Sequence, residues 1–336
     1  MNIITFNTID DIDEQQYTAL KNKCGASIFY DIRFLRAAEK SPLLPVEKIY
    51  YFAAYEKEEL LAFACFYQQA SPDPFGVLEA TTSIQFQSQH SAAFSHIMHC
   101  YESVILVENP ELYSFMLEHL KKLAVQEGIK YYGLLNVIDK QLMQAAEKID
   151  YQVNFMWERF FVDFSQFNSL EDFLSRLTRK GRQAYRTEMQ RFEQSDAVAV
   201  VERAPFHQLD EVVELCYETT SKYGTGHYYP KDAFLQFIET CGDLIRLISI
   251  YVQGKRVGVV VALLEEKKLH LWACGMQYEN IPFSPYIVGI FTGFKFALKN
   301  NISIVEIGRT NKKMKEKLGF SPLPLYSIIN YPEDAK

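Results

Sequence analysis

The chain has 336 residues, of which 48% are hydrophobic and 23% charged, a composition typical of a globular protein. Its net charge of −7 at pH 7 argues against general DNA binding, which needs an excess of Lys and Arg to neutralise phosphates. No apolar run approaches the ~20 residues that span a bilayer, so no transmembrane segment is expected. The length favours two domains of roughly 150 residues each.

The N-terminus lacks the basic start and the long apolar core of a signal peptide. The six cysteines are widely spaced and form no CxxC pair, which indicates reduced, mostly buried thiols. Both features lead us to expect a cytoplasmic protein. His96 and His99 have no third ligand at a recognisable spacing, so no metal site is predicted.

Apolar periodicity and turn residues predict alternating helices and strands in the N-terminal half. The predicted helices are Asp13–Lys23, Ile32–Lys40, Pro110–Glu127 and Lys140–Lys148. The predicted strands are Lys48–Tyr55, Leu60–Tyr67, Ser103–Val107, Tyr131–Leu135 and a region around Val153–Phe164. Gly128 follows the third helix, as the preference of glycine for helix ends requires.

A basic helix opens the second half. Residues 165–169 are the predicted joint between domains 1–165 and 166–336, and Asn168 with Glu171 fits a capping box for a helix over Leu170–Gln194. Its cluster of Arg179, Lys180 and Arg182 is a candidate site for the phosphates of a CoA, a carrier-protein arm or a nucleotide. The structural alternative is a solvated helix whose cations pair with neighbouring carboxylates.

The loop 222–230 lies between two predicted helices and is rich in glycine and tyrosine. Such a loop can form a lid or recognise a substrate, with Tyr228 and Tyr229 as candidate contacts. His227 is a candidate general base, because its unperturbed pKa lies near neutrality. The alternative is an aromatic loop packed over the core.

The C-terminal segment reads as three strands, an apolar helix, a fourth strand, a short basic helix and a returning aromatic strand over Phe320–Tyr326. The predicted strands are Ile245–Val252, Val257–Leu264, Leu269–Ala273 and Ile302–Ile307, and the predicted helix is Ser284–Lys299. The same order of elements occurs in the first half, which predicts a tandem repeat of one α/β unit with mixed sheets. A cleft between two such units is a common place for a ligand.

Four strand residues differ in chemistry from their apolar neighbours: His270, Trp272, Cys274 and Glu306. Strand alternation predicts that His270, Trp272 and Cys274 share one face, and Glu306 lies in an otherwise apolar strand. His270 or Glu306 is a candidate acceptor for the proton of an attacking amine, with Trp272 as a substrate contact. A satisfied core histidine and a structural Glu–Arg pair are the alternatives.

Two predicted helix starts are suited to anions. Ser284 and Pro285 are a favourable N-cap and first helical residue. Gly308-Arg309 leads into a short helix with four lysines, among them Lys315. Ser284, Arg309 and Lys315 are therefore candidate donor-binding residues.

These motifs resemble the second domain of the Fem-like, double-GNAT N-acyltransferases. The resemblance rests on the order of the elements after residue 244, on the Gly-Arg turn at Gly308, on the return Leu318-Gly319-Phe320, and on Lys180-Gly181-Arg182. It implies tandem GNAT-like domains with a shared cleft, the reactive site in the C-terminal unit, and direct attack by an amine on an activated acyl group.

The resemblance leaves the donor open. In single-domain GNAT enzymes a glycine-rich loop receives the CoA pyrophosphate, and the matching segment Gln277–Phe283 has no glycine. Acyl-CoA and an acyl carrier protein are the expected co-substrates, with a small-molecule amine as acceptor and no permanently bound cofactor. Aminoacyl-tRNA ranks third, because Fem-type enzymes often carry a helical arm that this sequence lacks. A non-catalytic double-GNAT binding protein is the alternative from another functional class.

Overall fold

The computed structural model describes residues 1–82, 84–95 and 99–332. Its contacts divide the chain into two compact units. Unit 1 comprises Met1–Trp157 and Pro324–Lys336, and unit 2 comprises Glu158–Leu323. The C-terminal segment therefore belongs to the same unit as the N-terminus. The predicted GNAT-like domains, 1–165 and 166–336, stay a prediction.

Most of unit 1 is formed by the first half of the chain. Its helices are α1 (Glu14–Lys23), α2 (Ile32–Lys40), α3 (Leu78–Thr82), α4 (Leu112–Glu127) and α5 (Lys140–Glu147). The strands of this half are β1 (Asn2–Phe6), β2 (Lys48–Glu56), β3 (Glu59–Gln69), β4 (Ala92–Ser95), β5 (Leu106–Val107), β6 (Tyr131–Val137) and β7 (Gln152–Asp163). The predicted helices and longer strands are confirmed within about two residues, whereas β1 and β4 have no counterpart among the predictions.

The second half supplies six helices and six strands within the described residues. The helices are α6 (Leu170–Arg176), α7 (Arg179–Glu193), α8 (Leu209–Ser221), α9 (Lys231–Cys241), α10 (Pro285–Lys299) and α11 (Lys312–Lys317). The strands are β8 (Ala197–Glu202), β9 (Ile245–Val252), β10 (Lys255–Leu264), β11 (Lys268–Met276), β12 (Ile304–Ile307) and β13 (Ser321–Asn330). Short 3₁₀ turns cover Ile9–Asp11, Ile28–Tyr30, Phe164–Gln166, Gly226–Tyr228 and Gly242–Leu244.

Each unit contains a mixed sheet with the same pattern of pairing. In unit 1 the order is β1-β2-β3-β4-β6-β13, and only the β4–β6 pair is parallel. In unit 2 the order is β8-β9-β10-β11-β12-β7, and only the β11–β12 pair is parallel. The repeat of one α/β unit with mixed sheets is therefore confirmed. The last strand of each sheet comes from a distant part of the chain: β13 completes the first sheet and β7 the second.

The core of unit 2 lies between its sheet and helices α6, α7 and α10. Phe173, Tyr185, Phe291 and Phe294 form aromatic contacts there, with ring centroids 5.3 to 6.4 Å apart. Apolar residues of β9 to β12 cover the sheet side of this cluster. The helix predicted at Ser284 begins where expected, because the Ser284 side chain accepts a hydrogen bond from the Ile287 amide at 3.5 Å.

The single long helix predicted over Leu170–Gln194 is wrong, because the helix is interrupted at Leu177 and forms two helices, α6 and α7. Leu177 is extended, and Thr178 starts α7 by accepting a hydrogen bond from the Gly181 amide. The predicted capping box is also displaced: Ser169, not Asn168, caps α6 through the amide of Asp172. Helical periodicity continued across the break, so the apolar stripe did not reveal it.

The shared face predicted for His270, Trp272 and Cys274 is wrong as well. The register of β11 against β10 shifts between Leu271 and Ala273, so Trp272 is an extra residue in the strand. Such a bulge changes which face the following side chains occupy. Trp272 stacks on Phe237 of α9, whereas Cys274 packs against the core beneath α10.

Candidate functional site

The candidate site lies where β11 and β12 separate in unit 2. The two strands pair only from Lys268 and Ile304 to Leu271 and Ile307. Beyond that point β11 continues to Met276 beside β10, whereas β12 ends at Ile307 and the chain turns at Gly308. The backbone groups of β11 beyond Leu271 therefore have no partner strand on the β12 side within the described residues. Cys274, Arg309 and Lys315 come together near the end of β12.

Lys315 is the buried cation of this site. Only 3% of the residue is exposed, its Nζ donates a hydrogen bond to the Gly308 carbonyl at 2.6 Å, and it lies 5.2 Å from the centre of the Phe160 ring. Burial lowers the pKa of Lys315 to about 7, with a further lowering from Arg309 and an opposing effect of Cys274. The lysine can therefore gain or lose a proton near neutral pH, unlike a solvated one.

The N-terminal turn of α7 fixes the position of α11. The Gly181 backbone lies so close to the Lys317 carbonyl that a Cβ atom would collide with it. The Tyr185 hydroxyl donates a hydrogen bond to the Leu318 carbonyl at 3.0 Å. These contacts give the Lys-Gly-Arg triplet a structural explanation, since its glycine allows the helix bearing Lys315 to approach.

The remaining basic residues of the two helices differ in their surroundings. Arg182 donates to the Ser175 carbonyl at 2.8 Å and so closes the C-terminal end of α6. Arg179, Lys180, Lys313 and Lys317 are exposed, and across the described ranges no carboxylate pairs with them. They form an exposed basic surface, which we call the α7–α11 surface. Donor binding by Arg179, Lys180 and Arg182 stays a prediction.

A carboxylate occupies the start of α10, the other predicted anion site. The Ser284 amide donates a hydrogen bond to Glu188 Oε2 at 2.6 Å, and Glu188 Oε1 pairs with Arg191 at 3.1 Å. A phosphate brought to this helix start would meet the negative charge of Glu188. Nothing in the sequence pointed to Glu188, which lies 96 residues before Ser284. The role of Ser284 in donor binding stays a prediction.

The aromatic loop contributes to the site through one hydroxyl. Arg309 donates a hydrogen bond to the Tyr228 hydroxyl at 2.8 Å. The neighbouring Tyr229 is buried, with its ring 4.6 Å from Phe234 and 6.3 Å from Trp272. Tyr229 and Trp272 therefore pack together on the α9 side of the sheet, while Tyr228 connects the loop to Arg309. Their contact with a substrate stays a prediction.

The three predicted proton acceptors have different environments. His270 is fully buried, with Nδ1 3.0 Å from Glu306 and Nε2 3.0 Å from Glu265. Burial lowers the pKa of His270, but the two carboxylates outweigh this effect and raise it to about 9. His270 is thus an imidazolium at neutral pH. His227, in contrast, is exposed on the loop.

Glu306 is the centre of a buried ionic network. Burial raises the pKa of Glu306, but His270 and Arg159 outweigh it and lower the pKa to about 2. The Arg159 guanidinium lies 3.6 Å from the same carboxylate. Sequence reasoning weighed a Glu–Arg pair at this position but found neither Arg159 nor Glu265. The use of His270, Glu306 or His227 as a base stays a prediction.

In the described segments, no three His, Cys, Asp or Glu side chains are arranged to hold a metal ion. His96 lies outside those segments, whereas His99 is buried. None of the helices in the described part of the chain is both long and apolar enough to cross a bilayer.

The family is identified by a sequence match that covers more than half of the chain. Residues 103–335 match the model of the FemAB-like family, described as peptidoglycan biosynthesis/recognition. The chain belongs to the FemAB-like family. The match covers all of unit 2, including the residues around Lys315. No curated protein matches the chain in sequence.

Solved structures show the fold that this FemAB-like chain shares. They include FemX, with a TM-score of 0.65, 10% identity and coverage of 98% of each chain. L-PGS from Bacillus licheniformis has a TM-score of 0.60 and 13% identity, with 96% of this chain and 93% of that chain covered. A tandem GNAT protein from the clavulanic acid biosynthesis pathway has a TM-score of 0.56 and 8% identity, with 99% of each chain covered. The Fem-like, tandem GNAT fold predicted from the sequence is confirmed.

Proposed function

We propose that this protein is an N-acyltransferase that moves an activated acyl or aminoacyl group onto an amine. The observation that carries the proposal is the buried Lys315, held at the end of β12 by the Gly308 carbonyl and placed beside Cys274 and Arg309. A buried cation with a lowered pKa beside an opening in a sheet is typical of a reactive site rather than of a solvated helix.

In the proposed reaction, the acceptor amine attacks the carbonyl carbon of the donor within a ternary complex. The new C–N bond forms and negative charge develops on the carbonyl oxygen. The C=O bond then re-forms, the bond from the acyl carbon to the sulfur or oxygen of the carrier breaks, and that leaving atom takes the bonding electron pair and the proton that the amine loses. The Lys315 ammonium donates a hydrogen bond to that developing oxyanion, in a site where little water weakens the interaction. Arg309, held by Tyr228, adds positive charge next to it.

A donor on a large anionic carrier fits the structure better than a donor bound in the usual GNAT manner. The start of α10 is occupied by Glu188, and the preceding loop has no glycine. The α7–α11 surface, in contrast, presents exposed cations next to the helix that carries Lys315. An acidic acyl carrier protein is the first candidate for this surface.

Aminoacyl-tRNA is the second candidate donor, and the FemAB-like family match favours it. The sequence argued against it because Fem-type enzymes often carry a helical arm. FemX is nevertheless covered over 98% of its length by this chain, so that neighbour has no large segment that is missing here. The family description also makes the amine of a peptidoglycan precursor the first acceptor to test.

A transfer assay with three donor classes tests the proposal. Purified protein is incubated with acyl-CoA, acyl carrier protein or aminoacyl-tRNA and a panel of amine acceptors, and the amide product is quantified by mass spectrometry. We expect transfer from a carrier-bound donor. The Lys315→Met variant should lose about 100-fold or more in rate, the effect typical of removing one oxyanion donor.

Lys255→Met is the control, because Lys255 is an exposed lysine on β10 that lies outside the α7–α11 surface. It should retain the transfer rate within about twofold, since a solvated lysine contributes little beyond surface charge. Transfer by Lys315→Met at the wild-type rate would refute the role of Lys315. Binding of a donor without transfer to any acceptor would support a non-catalytic binding protein instead.

A further inference from the structure

Unit 2 contains a cavity of about 390 Å³ far from the Lys315 site. It lies beside the turn between β10 and β11 and the C-terminal end of α10. Its lining includes the cations Arg203 and Arg246, the carboxylates Glu265 and Glu266, and the apolar side chains Leu264 and Phe296. Cys274 is about 20 Å away along β11, at the usual rise per strand residue. The volume is within the range of small-molecule pockets.

Two cations, Arg203 and Arg246, line the same cavity. Arg246 Nη1 donates hydrogen bonds to the carbonyls of Asp243 and Ile245, at 2.9 and 2.7 Å, which fixes the guanidinium against the cavity wall. Burial lowers the pKa of Arg246, the neighbouring Asp243 carboxylate opposes this effect, and the charge of Arg203 lowers the pKa further. Neither arginine pairs with a carboxylate within the described part of the chain.

The carboxylates of the same wall have a different arrangement. Glu265 contacts the buried His270 at 3.0 Å, while Glu266 is exposed at the cavity mouth. Glu265 is thus already paired with the His270 imidazolium, whereas no cation lies within 4 Å of Glu266 in the described residues. The cavity lining therefore combines two cations, the unpaired carboxylate of Glu266 and apolar side chains, so it suits a ligand that carries both signs of charge.

We propose that this cavity binds an α-amino acid with an apolar side chain. Arg203 and Arg246 bind the ligand carboxylate, as paired guanidinium groups favour. Glu266 binds its ammonium group, and the side chain packs against Leu264 and Phe296. The proposal does not depend on the proposed transfer reaction, because no residue of the cavity belongs to the Lys315 site.

The test is a titration of the 336-residue protein with L-leucine and L-phenylalanine, monitored by calorimetry and by NMR shifts of the ¹⁵N-labelled chain. N-acetyl-L-leucine lacks the ammonium group, and L-leucinamide lacks the carboxylate. We expect saturable binding of at least one amino acid, and binding about tenfold or more weaker for both modified compounds. Absence of binding, or equal binding of either modified compound, would overturn the zwitterion assignment.

Four variants locate the ligand. Arg203→Met and Arg246→Met should each weaken binding about tenfold, and Arg203→Met decides the question because its exposed side chain has no structural contact to lose. Lys255→Met, an exposed lysine on β10, should bind like wild type. Lys315→Met should also bind normally, which separates this cavity from the transfer site. Full binding by Arg203→Met, or its loss in Lys315→Met, would refute the assignment to this cavity.

Discussion

At the residue scale, the clearest consequence of burial concerns Lys315. Its pKa of about 7 in the folded chain is below the usual 10.5, so the unfolded chain binds more protons between these two values. Stability should therefore rise with pH from about 7 to about 10.5. We expect Lys315→Met to abolish this rise and to be more stable than wild type at pH 6, where the buried ammonium is costly. Urea unfolding at pH 6 and at pH 9.5 measures both effects.

For the stability measurement, the exposed Lys313 on the same helix provides the control for Lys315. Lys313→Met removes the same charge from the same helix, and the pH dependence of its unfolding should match that of wild type. A Lys315→Met protein that is less stable than wild type at pH 6 would contradict the prediction. It would show that the contacts with Gly308 and Phe160 outweigh the cost of burial.

The pH dependence of stability expected from His270 has the opposite sign to that expected from Lys315. The folded pKa of His270 is about 9, above the usual 6.5, so its ion pairs stabilise the protein fully below pH 6.5 and are lost as pH rises through about 9. His270→Gln should cost about 3–5 kcal/mol at pH 6, the cost of breaking a buried ion pair, and clearly less at pH 10. Urea unfolding at both values checks this, with the exposed His227→Gln as control.

An NMR titration of the imidazole tests the same interpretation directly. The His270 ring should remain protonated at pH 8. A midpoint below pH 6.5 would mean that the carboxylates do not hold the charge, and it would restore His270 as a candidate general base. In that outcome His270, which lies on β11, would be able to accept the proton of the attacking amine, as the sequence predicts.

Single-residue features divide into those that the sequence reveals and those that it hides. Ser284 and Gly128 follow local rules of helix capping, and both cap their helices as expected. Glu188 accepts a hydrogen bond from the Ser284 amide, which is 96 residues away in sequence, and no local pattern encodes that contact. The burial of Lys315 also depends on tertiary contacts, because its helix is short and looks solvated when considered alone.

At the element scale, the contact between α7 and α11 sets the position of Lys315. Alanine normally stabilises a helix by about 1 kcal/mol over glycine. At Gly181 the added Cβ meets the Lys317 carbonyl, so the backbone of α11 must move. We expect Gly181→Ala to lower the free energy of unfolding by roughly 1–3 kcal/mol and to reduce transfer at least tenfold, as overpacking does. Urea unfolding and the transfer assay measure the two effects.

The exposed Gln190 on the same helix is the control position. Gln190→Ala should change stability by no more than about 0.5 kcal/mol and leave transfer unchanged. If Gly181→Ala were more stable than wild type, helix propensity would outweigh the clash. The Lys-Gly-Arg triplet would then need another explanation than close packing.

Elements with strong periodicity were predictable, and those that depend on tertiary contacts were not. The predicted strand Ile245–Val252 and the start of α10 agree with the structure, because apolar runs and caps are local signals. The break at Leu177 and the bulge at Trp272 interrupt patterns that continue on both sides. The second of these changed which residues face the candidate site, placing Cys274 there and Trp272 on the opposite face.

At the scale of the whole molecule, each sheet depends on a strand from a distant part of the chain. β13 pairs with β6 in unit 1, although it is the last strand in sequence. Ile328 and Ile329 are fully buried there, and the Gly133 backbone approaches Ile328 too closely for any side chain at that position. The repeat of similar elements was visible in the sequence, but these pairings were not, because both halves contain similar apolar strands.

Removal of the last segment should therefore damage the unit that contains the N-terminus. A chain ending at Leu323 loses two buried isoleucines, each worth roughly 2–5 kcal/mol in truncation experiments. We expect hydrogen exchange, followed by mass spectrometry, to become much faster in β6 than in β11, because unit 2 keeps all six strands of its own sheet. A chain lacking residues 1–6 is the control, since β1 is an edge strand that does not touch β6. Exchange that accelerates first in β11 would show that β13 supports unit 2 instead.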